Sequence, residues 1–286
     1  MTLGIIGGSG VYDIEWLEHP RRVSVAGPFG EPSDDLLIGE LDGLRLVFLP
    51  RHGRGHRIPP SDVNFRANID ALKRAGVTDV IALSAVGSLR EDLAPGTFVI
   101  VDQFIDRTFA RPKTFFGPGL VGHVSMAHPV CGRVAGIVAA SAREAGTPCV
   151  EGGTYMVMEG PQFSTKAESE LYRRWGASVI GMTNMPEAKL AREAELCYAT
   201  VAMVTDWDCW HEAHADVTAA QVMAVMGKNV VAARELVRRA AAKFRDRPVP
   251  CPHRCDRALD GAIMTAPDAR DPALAARLAA VAGRVL

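Results

Sequence analysis

The chain has 286 residues, 48% of them hydrophobic, and its 32 basic and 33 acidic side chains leave a net charge of −1. This charge provides no surplus of lysine and arginine to neutralise phosphates, which argues against a nucleic-acid partner. The hydrophobic content excludes a disordered chain, and no apolar run of about 18 residues predicts a membrane span. The N-terminus lacks the basic start and cleavage site of a signal peptide, so we expect a cytoplasmic protein.

The first hundred residues alternate short apolar runs with loops that are rich in glycine or charge. Apolar runs of four to eight residues that end at such loops are typical of buried strands, whereas apolar residues three and four positions apart indicate a helix. In chain order, the patterns predict strands at 4–6 and 46–49, a helix at 64–75, and strands at 80–83 and 98–101.

The rest of the chain continues the alternation. The patterns predict a helix at 130–145, a strand at 156–158, a helix at 167–175, a strand at 179–180, a helix at 187–194, a strand at 198–204, a long helix at 218–244 and a helical stretch at 272–286. Strands that alternate with helices predict an α/β fold with a mixed, mostly parallel central sheet flanked by helices. With no repeat or linker, we expect one catalytic domain at 1–247 and a partly helical C-terminal tail at 248–286 packed on it.

Six cysteines are spread through the chain, which for a cytoplasmic protein predicts reduced and partly buried thiols. Cys251 and Cys255 form the only local cluster. This pair could chelate a metal or form a bridge, but without a second pair nearby the spacing gives little support for zinc.

Polar residues follow several of the predicted strands at their ends. In open α/β sheets ligands bind at the carboxyl ends of the strands, so these residues could share one site. Hydroxyls, an arginine and a histidine suit an anionic ligand, and the carboxylate suits a proton-transfer step. The residues are Ser9, Arg51, His52, Ser84, Thr183 and Asp206.

Each local segment also has a simpler interpretation. The glycine-rich loop at 7–10 could hold a phosphate or could be a tight turn, and the basic segment at 51–56 could be a solvated loop. In a strand-like conformation, the segment at 205–210 would present Asp206 and Asp208 on the same side, and burial could raise the pKa of one carboxyl so that it acts as an acid. Alternatively, the segment could be a helix-entry loop with an aspartate cap.

Together, eight ordered segments resemble the trimeric purine nucleoside phosphorylases, and within them the branch that cleaves methylthioadenosine. The resemblance runs from about residue 3 to about residue 240 and does not extend to the tail. The segments are GIIGGSG at 4–10, GPFGEPS at 27–33, RHGR at 51–54, SAVGSL at 84–89, DQFIDRT at 102–108, EGPQFST at 159–165, GMTNMPE at 181–187 and TDWDCW at 205–210.

The resemblance implies cleavage of the N-glycosidic bond of 5′-methylthioadenosine by inorganic phosphate, in a homotrimer that uses no metal and no organic cofactor. It implies phosphate binding by Ser9, Arg51, His52, Ser84, Ala85 and Thr183. It implies nucleoside binding by Phe163, Met182, Asp206, Trp207, Asp208, Val217 and Met223, with His123 donated by a neighbouring subunit. Catalytic roles fall to Asp206, Asp208 and His52.

Substrate choice depends on the two aspartates. A 6-amino group is a donor and requires an acceptor, whereas a 6-oxo group requires a donor such as an asparagine amide. Two aspartates therefore favour adenine, and a 6-oxopurine nucleoside or methylthioinosine phosphorylase is the alternative. Asn184 and Met185 stand where the mammalian methylthioadenosine enzyme has threonine and valine, and they leave this choice open. The third hypothesis is a nucleoside-binding protein without catalysis. The predicted phosphate-binding residues argue against it, because a protein that only binds nucleosides does not need a phosphate site.

Overall fold

The computed structural model describes residues 1–8, 10–11, 14–211 and 219–286, and for residues 219–221 it describes the backbone only. The strands are β1 Thr2–Gly7, β2 Glu18–Val23, β3 Leu36–Leu41, β4 Leu44–Pro50, β5 Asp79–Ser88, β6 Phe98–Val101, β7 Gln103–Asp106, β8 Cys149–Glu151, β9 Thr154–Val157, β10 Val179–Gly181 and β11 Cys197–Asp206. The α-helices are α1 Phe65–Arg74, α2 Gly132–Glu144, α3 Lys166–Arg174, α4 Asn184–Glu193, α5 Ala219–Lys243, α6 Pro272–Arg277 and α7 Ala279–Ala282.

All of these strands belong to one mixed sheet, in which β5 is central. The first half of β5 lies between β1 and β11 and is parallel to both, and its end pairs antiparallel with β10. Pairing with β1 stops at Ala82, and pairing with β10 begins at Gly87. On this side, residues 83–86 therefore have no strand partner among the described residues, and the sheet opens there.

Alternate residues of the central strands face two separate hydrophobic cores. Ile5 and Ile81 lie in the core that includes buried residues of α2 and α5, whereas Ile6 and Ala82 lie in the core that includes α1 and α4. This alternation follows from the strand period of two, and burial on both faces explains why the strands are continuously apolar. The predicted α/β class with a mostly parallel sheet is confirmed.

The predicted strands and helices are present, and four further strands were missed. β2 lies at the edge of the sheet, and its side chains are almost all exposed. It therefore lacks the apolar pattern that identifies a strand. β7 and β8 have only four and three residues, and β3 was also missed. The stretch at 272–286 forms two short helices, α6 and α7.

The chain that follows α5 packs back over the sheet. Leu259 and Val281 are buried in the core that includes α1, and Cys251 and Cys255 in the core that includes α2. The C-terminal residues thus contribute to both cores. Of the helices that the structure describes, none has the length and apolar character needed to cross a membrane.

Candidate active site

A cavity of about 540 Å³ lies beside the part of β5 that is paired with neither β1 nor β10. Residues 83–87 of β5 form its floor, and the loops after β4, β10 and β11 contribute polar side chains. The fold thus brings distant segments to one place, as expected at an opening in a mainly parallel sheet. The predicted site residues that line the cavity are Arg51, His52, Ser84, Ala85, Phe163, Met182, Thr183, Asp206, Asp208 and Met223.

Four predicted residues are not among the lining. Ser9 and Val217 lie outside the described residues. Trp207 does not line the cavity and packs against the hydrophobic cluster that contains Met156 and Tyr172. His123 is exposed, and its backbone N–H donates to the carbonyl oxygen of Ala262 at 2.9 Å. It lies outside the cavity of its own chain.

Arg51 is a fully buried cation that is already paired. Its Nε and Nη2 donate to the two carboxylate oxygens of Glu187 at 2.7 and 2.9 Å, and its Nη1 donates to the carbonyl oxygen of Leu83 at 2.9 Å. Burial lowers the pKa of Arg51, but the carboxylate of Glu187 more than compensates and raises it above the ordinary value. Three of five N–H groups are engaged, so two remain for a ligand.

Glu187 is held by a second layer of hydrogen bonds. Tyr198 donates its hydroxyl to Glu187 Oε1 at 2.9 Å, and Asn184 Nδ2 donates to the hydroxyl oxygen of Tyr198 at 2.6 Å. This network fixes the plane of the Arg51 guanidinium. The role of Glu187 was not predicted from the sequence. The available signal was that Glu187 is the one charged residue of the 181–187 motif.

Two hydroxyls stand next to this arginine. Ser84 lies within β5, not at its end, and its Oγ is 2.7 Å from Thr183 Oγ1 and 2.9 Å from the hydroxyl of Tyr155. Thr183 directly precedes α4, but Met185 (φ −120°, ψ 131°) interrupts the first turn, so Thr183 does not stand at a regular helix N-terminus. The two hydroxyl donors and the arginine together form an anion site.

Arg111 supports the loop that carries Thr183. Its side chain is buried, and Nη1 donates to the carbonyl oxygens of Met182 and Met185, each at 2.7 Å. Its Nε is paired with Glu159 Oε1 at 3.1 Å. Nothing in the sequence around Arg111 pointed to this role, because its partners are 48 to 74 residues away in the chain.

His52 is a neutral histidine at neutral pH. Burial and the charge of Arg51 lower its pKa to about 4. Nδ1 lies 2.9 Å from the carbonyl oxygen of Ile58, and because a carbonyl only accepts, Nδ1 carries the proton. Nε2 of the neutral ring is then an acceptor, and the ring also stacks on His56 with centroids 4.4 Å apart.

The two aspartates reach the cavity through a turn and not along a strand. Asp206 ends β11, and Asp208 follows with a positive φ of 51°. Thr205 donates its hydroxyl to Asp206 Oδ2 at 2.7 Å, and the backbone N–H of Asp208 donates to Asp206 Oδ1 at 2.8 Å. Oδ2 of Asp208 is buried, and the hydroxyl of Ser169 stabilises the charged form of this carboxyl.

Both carboxyl groups hold protons more tightly than usual. Burial raises the pKa of Asp206. Burial also raises the pKa of Asp208 to about 6, and the charge of Asp206 adds to this effect. Two buried carboxyls that face one cavity are suited to share and transfer a proton.

The raised pKa of Asp208 predicts a stability that depends on pH. The folded chain binds this proton more tightly than the unfolded chain does, so ionisation lowers stability as pH rises from about 4 to about 6. We expect Asp208→Asn to gain about 2–3 kcal/mol relative to wild type over this range. Urea unfolding at pH 4 and pH 7 measures it. The exposed Asp268→Asn is the control, and a difference between wild type and Asp208→Asn that does not change with pH would contradict the prediction.

The cavity therefore combines three kinds of surface: an anion site around Arg51, a carboxyl pair, and an apolar wall. The apolar wall includes side chains that sequence reasoning missed. These are Met158, Ile180, Met203, Val222 and Met226. An anion, a proton donor and an apolar group can thus bind side by side.

Comparison with known proteins agrees with this geometry. The phosphorylase superfamily matches residues 2–242. The S-methyl-5′-thioadenosine phosphorylases of Rhodospirillum rubrum and Cereibacter sphaeroides are 63% and 61% identical to the chain, covering 100% and 99% of it and 97% and 98% of their own lengths.

Solved structures show the same similarity. A methylthioadenosine phosphorylase from an Antarctic soil metagenomic library superposes with a TM-score of 0.91 at 47% identity, over 98% of each chain. The methylthioadenosine phosphorylase of Schistosoma mansoni, solved with adenine, has a TM-score of 0.86 at 40% identity, over 91% of this chain and 97% of its own. The chain therefore belongs to the phosphorylase superfamily and is an enzyme of the nucleoside phosphorylase type.

Proposed function

We propose that the chain cleaves 5′-methylthioadenosine with inorganic phosphate, which yields adenine and 5-methylthioribose 1-phosphate. The observation that carries the proposal is one cavity that is lined both by the Arg51 anion site and by the Asp206–Asp208 pair. The names of the relatives that are more than 60% identical support the same reaction. Phosphate is a co-substrate, and the reaction needs no metal or organic cofactor.

The anion site positions the nucleophile. The two free N–H groups of Arg51 and the hydroxyls of Ser84 and Thr183 are donors for phosphate oxygens, and the unpaired edge of β5 offers the backbone of Ala85. Ser9 and His52 complete the proposed phosphate set, and the unprotonated Nε2 of His52 accepts a hydrogen bond from the P–OH group of HPO4²⁻. As the glycosidic bond breaks, positive charge develops on the sugar, and a phosphate dianion held close to it stabilises that charge.

The carboxyl pair receives the base. Asp206, whose pKa is raised by burial, donates a proton to N7 so that the purine leaves as a neutral molecule. The carboxylate of Asp208, which lines the cavity, accepts a hydrogen bond from the 6-amino group. An ionised carboxylate here has no proton for a 6-oxo group, which disfavours the alternative 6-oxopurine or methylthioinosine substrates.

Apolar residues surround the rest of the nucleoside. We assign Met182 to the ribose, Phe163 to the purine or sugar, and Met223 with Val217 to the methylthio group. The proposed assembly is a cytoplasmic homotrimer in which His123 of one subunit approaches the 5′-substituent in the next, while Trp207 supports the Asp206–Asp208 turn. Sedimentation velocity measures the oligomeric state, and a monomer would contradict the assembly.

We expect purine release from methylthioadenosine to require phosphate and to exceed release from methylthioinosine, adenosine and inosine. The measurement is purine release from each nucleoside with and without phosphate. Release at the same rate without phosphate would mean hydrolysis instead of phosphorolysis. A higher kcat/KM for methylthioinosine would identify the 6-oxopurine alternative as the correct one.

A further inference from the structure

Four buried cysteines converge from distant parts of the chain. Cys131 precedes α2, Cys197 begins β11, and Cys251 and Cys255 follow α5. All four Sγ atoms lie within 4.8 Å of one another, and those of Cys131 and Cys251 are 3.7 Å apart. The fold thus supplies the second pair of thiols that the local Cys251–Cys255 spacing lacks.

We propose that these four cysteines bind a structural zinc ion. Zinc with four thiolate ligands is tetrahedral with Zn–S distances of about 2.3 Å, which places neighbouring sulfurs about 3.8 Å apart. The separation between Cys131 and Cys251 already matches this length, and the other pairs need to contract by no more than about 1 Å. Binding of the ion displaces the thiol protons to solvent.

The surroundings of the cluster suit a negatively charged centre. Cys131 is the N-cap residue of α2, where the helix dipole stabilises a thiolate. Nη2 of Arg247 lies 3.5 Å from Cys197 Sγ, and the same side chain is held by Asp79 at 2.9 Å and Asp256 at 3.0 Å. Four thiolates and one Zn²⁺ have a net charge of −2, so a fixed guanidinium that donates to sulfur supports the site.

The position of the cluster assigns it a structural role. Cys197 starts β11 and Asp206 ends it, and the nine residue steps between them span about 30 Å. The ion therefore lies far from the reacting atoms. It connects the chain after α5 to the first residue of β11 and to the start of α2, so it stabilises the packing of the C-terminal residues on the sheet.

Disulfide formation is the competing chemistry for four close thiols. Two disulfides would draw the sulfurs into separate pairs, whereas each sulfur here lies within 4.8 Å of the three others. A single zinc ion bound by all four sulfurs accounts for this mutual proximity better than two disulfides do.

Metal analysis of the full-length protein, purified without oxygen and without chelator from cells supplied with zinc, tests the proposal. We expect one zinc per chain in wild type and in Cys149→Ser, whose thiol is outside the cluster, and almost none in Cys251→Ser/Cys255→Ser. Chelation of the wild-type zinc should lower Tm, and added zinc should restore it. Because the double variant could fail to fold, wild-type apoprotein is also titrated with Co²⁺, which should produce the absorption bands of tetrahedral cobalt tetrathiolate.

Wild-type protein without bound zinc and without these cobalt bands would overturn the proposal. Mass-spectrometric mapping after chelation and alkylation in denaturant distinguishes the competing chemistry, because disulfides protect cysteines from alkylation in the unfolded chain, whereas burial does not. Protection that persists without metal would also overturn it. Turnover of methylthioadenosine does not enter this test, so the zinc site and the proposed function can fail independently.

Discussion

Asp206→Asn is expected to lower kcat/KM for methylthioadenosine by about 10²–10⁴-fold, the usual contribution of a positioned general acid. Asparagine keeps the shape of the side chain. Its Oδ1 can still accept from the backbone N–H of Asp208, and its Nδ2 can donate to the hydroxyl oxygen of Thr205, so the turn should survive. It has no proton to transfer to N7. The loss should therefore appear mainly in kcat, measured by initial rates of adenine release.

The same variant should shift selectivity toward 6-oxopurines. The amide introduces an N–H donor beside the base, so the ratio of kcat/KM for methylthioinosine to that for methylthioadenosine should increase. Asp268→Asn, on the exposed surface, should leave both rates unchanged. Near-normal turnover by Asp206→Asn, with an unchanged Tm, would exclude Asp206 as the general acid.

Glu187→Gln is expected to destabilise the folded chain by about 3–5 kcal/mol, because it leaves the charge of Arg51 buried without a counter-ion. Both side chains are only 1% exposed, so bulk water screens the uncompensated charge poorly. Urea unfolding at pH 7 measures the loss. Neutralising the exposed ion pair of Arg90 and Asp92 by Asp92→Asn should cost less than about 1 kcal/mol.

Two further measurements separate this pairing from a general packing defect. Arg51→Met/Glu187→Gln removes both charges and should be more stable than Glu187→Gln alone. Phosphate, which supplies negative charge beside Arg51, should raise the Tm of Glu187→Gln more than that of wild type. A single variant that costs less than 1 kcal/mol and gains no additional stability from phosphate would contradict the role assigned to Glu187.

Local patterns predicted most of the regular structure. Apolar runs such as 80–83 identify buried strands because both faces of the sheet are covered, and α1 shows the expected helical spacing. The pattern failed for β2, whose side chains are almost all exposed and carry no apolar alternation. Its strand conformation depends on pairing with β3, which local sequence does not encode.

The amino-acid sequence was sufficient to predict the fold class, the family and ten of the residues that line the cavity, because motifs such as 181–187 and 205–210 carry local information about turns and polar groups. The partners of those residues depend on the three-dimensional structure. Glu187 contacts Arg51, which is 136 residues away in the chain, and Cys131 contacts Cys251, which is 120 residues away. Long-range pairs depend on strand order and helix packing, so composition and spacing cannot reveal the buried ion pair or the cysteine cluster.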